Sequence, residues 1–115
     1  MGRFPHEQME MITTLPGYRI SLTASQCVVL INGMPIACHT GDYRLLTLLL
    51  RSAGQVVPFA RLLGKGVDPH DRLARQSLRR AISRLREHLW PFGLDIRCLL
   101  GQGYVLFQLP DDPSF

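Results

Sequence analysis

The chain has 115 residues, 46% of them hydrophobic and 19% charged, and a formal net charge of +4 at pH 7. That length supports one domain with a single modest core, and the composition excludes a disordered chain. No stretch approaches the roughly 18 apolar residues of a membrane span, and the opening residues, which include Glu7 and Glu10, do not read as a secretory signal. The placement of the charge says more than its sum. Residues 72–88 hold six arginines against one glutamate, whereas the rest of the chain carries seven basic and eight acidic residues. All the excess positive charge therefore sits in one segment, which points to a polyanionic partner, nucleic acid before an anionic membrane surface. Three cysteines, Cys27, Cys38 and Cys98, show no CxxC spacing and suit buried thiols in a reducing compartment, so the expected location is the cytoplasm.

Residues 1–17 mix Pro, Gly, Met and charges without periodicity and read as a flexible lead-in, with the domain expected over 18–109 and a short tail over 110–115. Tyr18 to Leu22 alternates apolar and polar like a half-buried strand. Two further apolar runs, Gln26 to Ile31 and Met34 to Ala37, flank Asn32-Gly33, a pair that tolerates the positive φ of a tight hairpin turn. Pro35 restricts the last of these strands to a sheet edge or a short pairing. A small antiparallel N-terminal sheet is the expected result.

His39-Thr40-Gly41 opens a first helix, with Asp42 placed at the positive end of its dipole. Only Arg44, Thr47 and Arg51 form a narrow polar stripe on it, so it reads as a core element with no chemistry of its own. Gly54 ends it, Gln55-Val56-Val57 adds a short extended crossing, and Pro58 suits the first turn of a brief second helix carrying Phe59, Leu62 and Leu63. Gly64 to His70 is rich in breakers and reads as a loop, longer than the about 3 to 4 residues of a tight helix-turn-helix.

From Asp71 to Trp90 the chain is a basic amphipathic helix. Leu78, Ala81, Ile82, Leu85 and Leu89 fall on one side at 100° per residue. Arg72, Gln76, Arg79, Arg80, Ser83, Arg84 and Glu87 project from the other. Surface helices usually interleave acids for i,i+4 support, and this one has almost none. Asp71 caps its start, and Pro91 with Gly93 ends it. Two strand-like runs, Leu94 to Leu100 and Tyr104 to Leu109, then surround Gly101-Gln102-Gly103 as a hairpin.

Sheet, helix, helix, basic helix and hairpin is the order of an α+β winged helix-turn-helix. The residues resemble the OmpR/PhoB-type DNA-binding effector domain of bacterial transcription regulators over about Gln26 to Phe107. The resemblance rests on the Asn-Gly hairpin, on Asp42-Tyr43-Arg44-Leu45-Leu46 with Gly54-Gln55-Val56-Val57, on Ile82-Ser83-Arg84-Leu85-Arg86 and on Gly101-Gln102-Gly103-Tyr104. It implies a sequence-specific, double-stranded DNA-binding regulator whose third helix enters the major groove. By position, Arg79, Arg80 and Ser83 are the implied base readers, with Gln76 and Arg72 near the helix start, while Arg84 and Arg86 grip the backbone. The family commonly places an arginine at the wing before Gly-x-Gly-Tyr, whereas this chain has Cys98-Leu99-Leu100, leaving Arg97 or Gln102 as local substitutes. An acidic residue, a small apolar residue and a histidine are common in relatives where this chain has Arg79, Arg80 and Ala81, so its target sequence is its own. The resemblance further implies a dimer on direct repeats and contact with RNA polymerase through the loop Gly64 to Asp71. Residues 1–17 are too few for the receiver domain that most relatives carry, so the expectation is a stand-alone regulator or one switched by another chain.

Rival readings are weaker. Gly101-Gln102-Gly103 precedes a strand, so no helix N-terminus follows it to hold a nucleotide phosphate. The four histidines are scattered, Cys38-His39 has no second cluster for a metal, and no catalytic arrangement is recognisable, so neither an enzyme nor a cofactor is expected. The alternative of a different class is a winged-helix interaction module that docks on an acidic protein through the same arginines, favoured by the leucines at the wing.

Overall fold

Two small antiparallel sheets and three helices make up the computed structural model, which describes residues 9–110. Strands β1 (Met9–Ile12), β2 (Ile20–Thr23), β3 (Val28–Ile31) and β4 (Met34–Ala37) form the first sheet in that order. Helix α1 (Thr40–Arg51) follows, then the short β5 (Val57–Pro58), helix α2 (Phe59–Leu63) and the long helix α3 (Arg72–Leu89). Strands β6 (Leu94–Leu99) and β7 (Gly103–Gln108) pair as the C-terminal hairpin, and β5 adds to the other side of β7. This is the winged-helix arrangement expected from the sequence.

The Asn-Gly signal acts as its chemistry requires. Asn32 and Gly33 both take positive φ, 52° and 84°, and bring Met34 opposite Ile31. β4 is an edge strand, which spares the sheet the missing amide of Pro35. Ile20, Leu22, Val29, Ile31 and Ile36 turn inward and share one core with Leu46, Leu49 and Leu50 of α1. Into the same core α3 sends Leu78, Ala81, Ile82, Leu85 and Leu89, the five positions that its periodicity selects.

The lead-in expected over 1–17 needs correction from Met9 onward, while residues 1–8 and 111–115 lie outside the described residues. Met9 to Ile12 pairs residue by residue with Thr23 to Ile20, and Ile12 and Leu15 are buried. Glu10 receives two hydrogen bonds from Arg51, at 2.9 and 2.6 Å, and the Thr14 hydroxyl donates to the Leu50 carbonyl. The Tyr18 hydroxyl donates to the carbonyl of Phe92, beyond the end of α3. Three of the four β1 side chains are exposed, so the strand leaves no alternating pattern to read. Thr47 likewise departs from the polar stripe expected on α1. It is buried and satisfies its hydroxyl on the Arg44 carbonyl one turn back. Arg44 caps the other end of the helical layer, donating to the Leu62 and Arg61 carbonyls of α2 at 2.7 and 2.9 Å.

Among the described residues no helix is long and apolar enough to cross a membrane. The most crowded of the described glycines is Gly103, at the turn end of the hairpin, where β5 pairs with β7. A Cβ there would lie 1.9 Å from the Val57 carbonyl oxygen and 2.9 Å from the Pro58 Cα, both backbone atoms. Replacing Gly103 with Ala is therefore expected to cost about 3 kcal/mol or more, the upper end of overpacking penalties, as measured by urea unfolding followed by circular dichroism.

Candidate nucleic-acid interface

Helix α3 runs for 18 residues, or about 27 Å at 1.5 Å per residue. Asp71 caps it by accepting from the Leu73 amide at 3.1 Å, and the chain leaves it through a 3-10 turn, Trp90–Phe92, that stops at Gly93 with φ 75°. With one side sealed in the core, the other is set by geometry. Arg72, Gln76, Arg79, Arg80, Ser83 and Glu87 are all exposed and recur at three- and four-residue spacing, which makes them one stripe along the helix. Arg72 and Arg80 have no ion-pair partner among the described residues, so their charge is open to an outside anion.

Three other arginines of α3, Arg75, Arg84 and Arg86, are held within the fold. Arg84 makes a bidentate pair with Asp42 of α1, at 2.9 and 3.0 Å. Arg86 reaches Asp95 at the start of β6, at 2.8 and 3.4 Å, and lies 5.2 Å from the centre of the Trp90 ring. Arg75 stacks 3.7 Å above the Phe59 ring and donates to the Pro69 carbonyl at 2.6 Å. Phe59 in turn meets Tyr104 of the wing edge-on at 5.8 Å. The two residues that the resemblance assigns to gripping a backbone are thus already paired with carboxylates. Neither partner was visible in the sequence, because Asp42 is 42 positions from Arg84 and its acidity reads first as a helix N-terminal charge.

Asp95 is the better buried of these acids and gathers the most donors. Burial by itself raises its carboxyl, but hydrogen bonds from Arg86, the Trp90 indole and the Ile96 amide outweigh that and hold it below the ordinary carboxylate value.

The wing carries the remaining expected residues. Arg97 is exposed on β6, with its guanidinium 5.4 Å from the centre of the Phe107 ring. Gln102 is exposed at the turn, and its backbone is fixed on both sides: its amide donates to Leu99 and its carbonyl accepts from Phe59. Leu100, 91% exposed, stands at the tip between them. Between wing and α3 lies a cleft of about 550 Å³ that brings together Arg79, Ser83, Arg86 and Arg97 beside Tyr104. Arg72, Gln76, Arg80 and Arg84 lie outside it, further round the helix. Cys98 also lines this cleft and is exposed, contrary to the expectation of buried thiols. Among the described residues no group of three or more metal-ligating side chains is assembled.

The Asp95 network makes a pH prediction. A carboxyl with a lowered folded pKa stabilises above its unfolded value and loses that contribution as pH falls through the folded one. Asp95→Asn should therefore lower stability by about 1.5 to 3 kcal/mol at pH 7, the range for hydrogen bonds to a charged group. The gap from the parent should close below about pH 4, as followed by urea unfolding across pH.

Comparison with known proteins agrees with this geometry. Residues 33–106 match the family described as "Transcriptional regulatory protein, C terminal". The chain is 35% identical over 88 residues to protein RcaC of Microchaete diplosiphon, covering 74% of this chain and 14% of that protein. Among solved structures, it is similar to the DNA-binding domain of CpxR from E. coli, with a TM-score of 0.58 and 25% identity over 79% of this chain and 92% of that one. The DNA-binding domain of RstA from Klebsiella pneumoniae, solved in complex with the RstA box, gives a TM-score of 0.57 and 29% identity over 76% and 90% of the two chains. With the family matched from β4 through the three helices into β7, the chain belongs to the OmpR/PhoB-type DNA-binding domains of transcriptional regulatory proteins.

Proposed function

We propose that this domain regulates transcription in the cytoplasm by binding double-stranded DNA at specific sequences, with α3 in the major groove. The observation that carries the reading is the exposed stripe Arg72, Gln76, Arg79, Arg80 and Ser83 on the side of α3 opposite the core. A helix fits the major groove, where arginine can satisfy two acceptors of a guanine at once and glutamine those of an adenine. Crystallised RstA, 29% identical, is in complex with its box, which supports the same class of partner here.

Within that reading the roles divide by what each side chain already holds. Arg79, Arg80 and Ser83 face bases, with Gln76 and Arg72 towards the helix start. Arg84 and Arg86 keep the register indirectly, by seating α3 against Asp42 and Asp95. A phosphate reaching either of them competes with a carboxylate for the same guanidinium. Arg97 and Gln102 supply the wing contact in place of Leu100. The loop Gly64 to Asp71 is the proposed contact for RNA polymerase. It is stiffened by Asp68, which accepts from the His70 amide through its side chain and from the Asp71 amide through its carbonyl, and exposed Leu73 follows it. Binding as a pair on direct repeats completes the proposal.

A second reading, docking on an acidic protein, is favoured by the exposed leucine at the wing tip. Salt dependence separates the two. Contact by Arg72, Arg79, Arg80 and Arg97 should give a slope of about −3 to −4 for log affinity against log salt on duplex DNA. A contact with protein would vary less. Selection of duplexes from a random pool should return a repeated consensus, and failure to enrich any sequence would remove the DNA reading.

Two substitutions test the division of roles in fluorescence-anisotropy titrations. Arg80→Ala should cost about 1 to 3 kcal/mol on the selected site and relax preference at one base pair. Asp42→Ala should instead free Arg84 for a phosphate, strengthen binding to every sequence at low salt and make the slope steeper by about 0.9.

A further inference from the structure

Cys27 and Cys38 face each other across the open end of the β3–β4 hairpin. The register sets Val28 opposite Ala37, so the next position outward sets Cys27 opposite Cys38, and the Cys38 amide donates to the Cys27 carbonyl at 3.2 Å. The Cys27 amide turns away to the Ala24 carbonyl, so this single bond holds the two backbones together, and a directly bonded pair lies within reach of the roughly 4.4 to 6.8 Å between Cα atoms that a disulfide spans. Both thiols are half-buried and pack against the core beside the start of α1, where the Cys27 sulfur lies 3.9 Å from the Thr40 hydroxyl oxygen. Cys27 also sits at φ 54°, a left-handed conformation that Gly or Asn adopts at lower cost.

We propose that Cys27 and Cys38 form a reversible disulfide, an oxidation site that closes the base of the β3–β4 hairpin where the chain passes into α1. The oxidant is a low-molecular-weight disulfide. The Cys27 thiolate attacks one of its sulfurs, giving a mixed disulfide and one released small thiol. Cys38 then attacks the Cys27 sulfur, forms the Cys27–Cys38 bond and expels the second small thiol. Two protein thiols are oxidised, one small disulfide is reduced to two thiols, and the protein gains no atoms. Burial, aided by the Asp42 carboxylate and Cys27, pushes the Cys38 thiol up to about 11. That places Cys38 in the resolving role and makes ring closure faster as pH rises towards that value. Cys98 lies on β6, outside this pair, and forms no part of the site.

The test uses the full chain carrying Cys98→Ser, incubated with oxidised glutathione, alkylated and cleaved with cyanogen bromide, which cuts after Met34 between the two cysteines. The expected result is a protein with neither cysteine alkylated and no glutathione retained, whose fragments on the two sides of Met34 stay joined until a reductant is added. Fragments that separate without reductant, or glutathione retained on either cysteine as the end product, would overturn the proposal. Adding Cys27→Ser should leave Cys38 alkylated or glutathionylated and the fragments separate. If that variant does not fold, the mapping of the Cys98→Ser protein alone still decides between the outcomes.

Discussion

Helix α3 has to meet two demands with one cylinder, burying enough apolar surface to join the core while holding a row of arginines clear of it. The arrangement depends on fixing its rotation about its own axis. A turn of one residue would carry about 100° of arc, enough to swing Arg79 inward or Leu85 outward. The apolar stripe sets this rotation coarsely, and the two Arg–Asp pairs set it at its flanks, Arg84 to α1 on one side and Arg86 to β6 on the other. Arg75 adds a third hold through Phe59 and, beyond it, Tyr104 of the wing. Helix, second helix and hairpin are thereby kept in one relation, and the cleft between α3 and the wing has a defined width.

This division explains why six arginines in sequence do not amount to six equivalent charges in space. Three are engaged in seating the helix, and the field presented to a partner comes mainly from Arg72, Arg79 and Arg80, supplemented by Arg97 across the cleft. A count of positive residues therefore overstates the number available to phosphates.

What the sequence made legible follows the range of each interaction. The Asn32-Gly33 turn, the stripe Leu78-Ala81-Ile82-Leu85-Leu89 and the stop at Gly93 depend on neighbours within a few positions, and each stands where local chemistry puts it. Strand β1 was illegible because an edge strand with one inward side chain has no period to detect. The carboxylates of Asp42 and Asp95 were visible as residues but not as partners, since only the packed fold brings them to Arg84 and Arg86. The same holds for Gly103, which looks like one more turn glycine until the Val57 carbonyl is placed beneath it. In the candidate site, the exposed stripe was readable from periodicity, whereas the separation of its arginines into presented and committed groups was not.

The anchoring of β1 has a mechanical side. Glu10 is tied to the end of α1, Thr14 to the last turn of the same helix, and Tyr18 to the residue that follows α3. Load applied ahead of Met9 would pass into the scaffold at three bonded points rather than being absorbed by a slack tether. The lever so formed ends at Phe92, at the far end of the helix from Arg72. Two of the three points lie on α1 and the third in the turn after α3, so the strand is fastened to both helices at once.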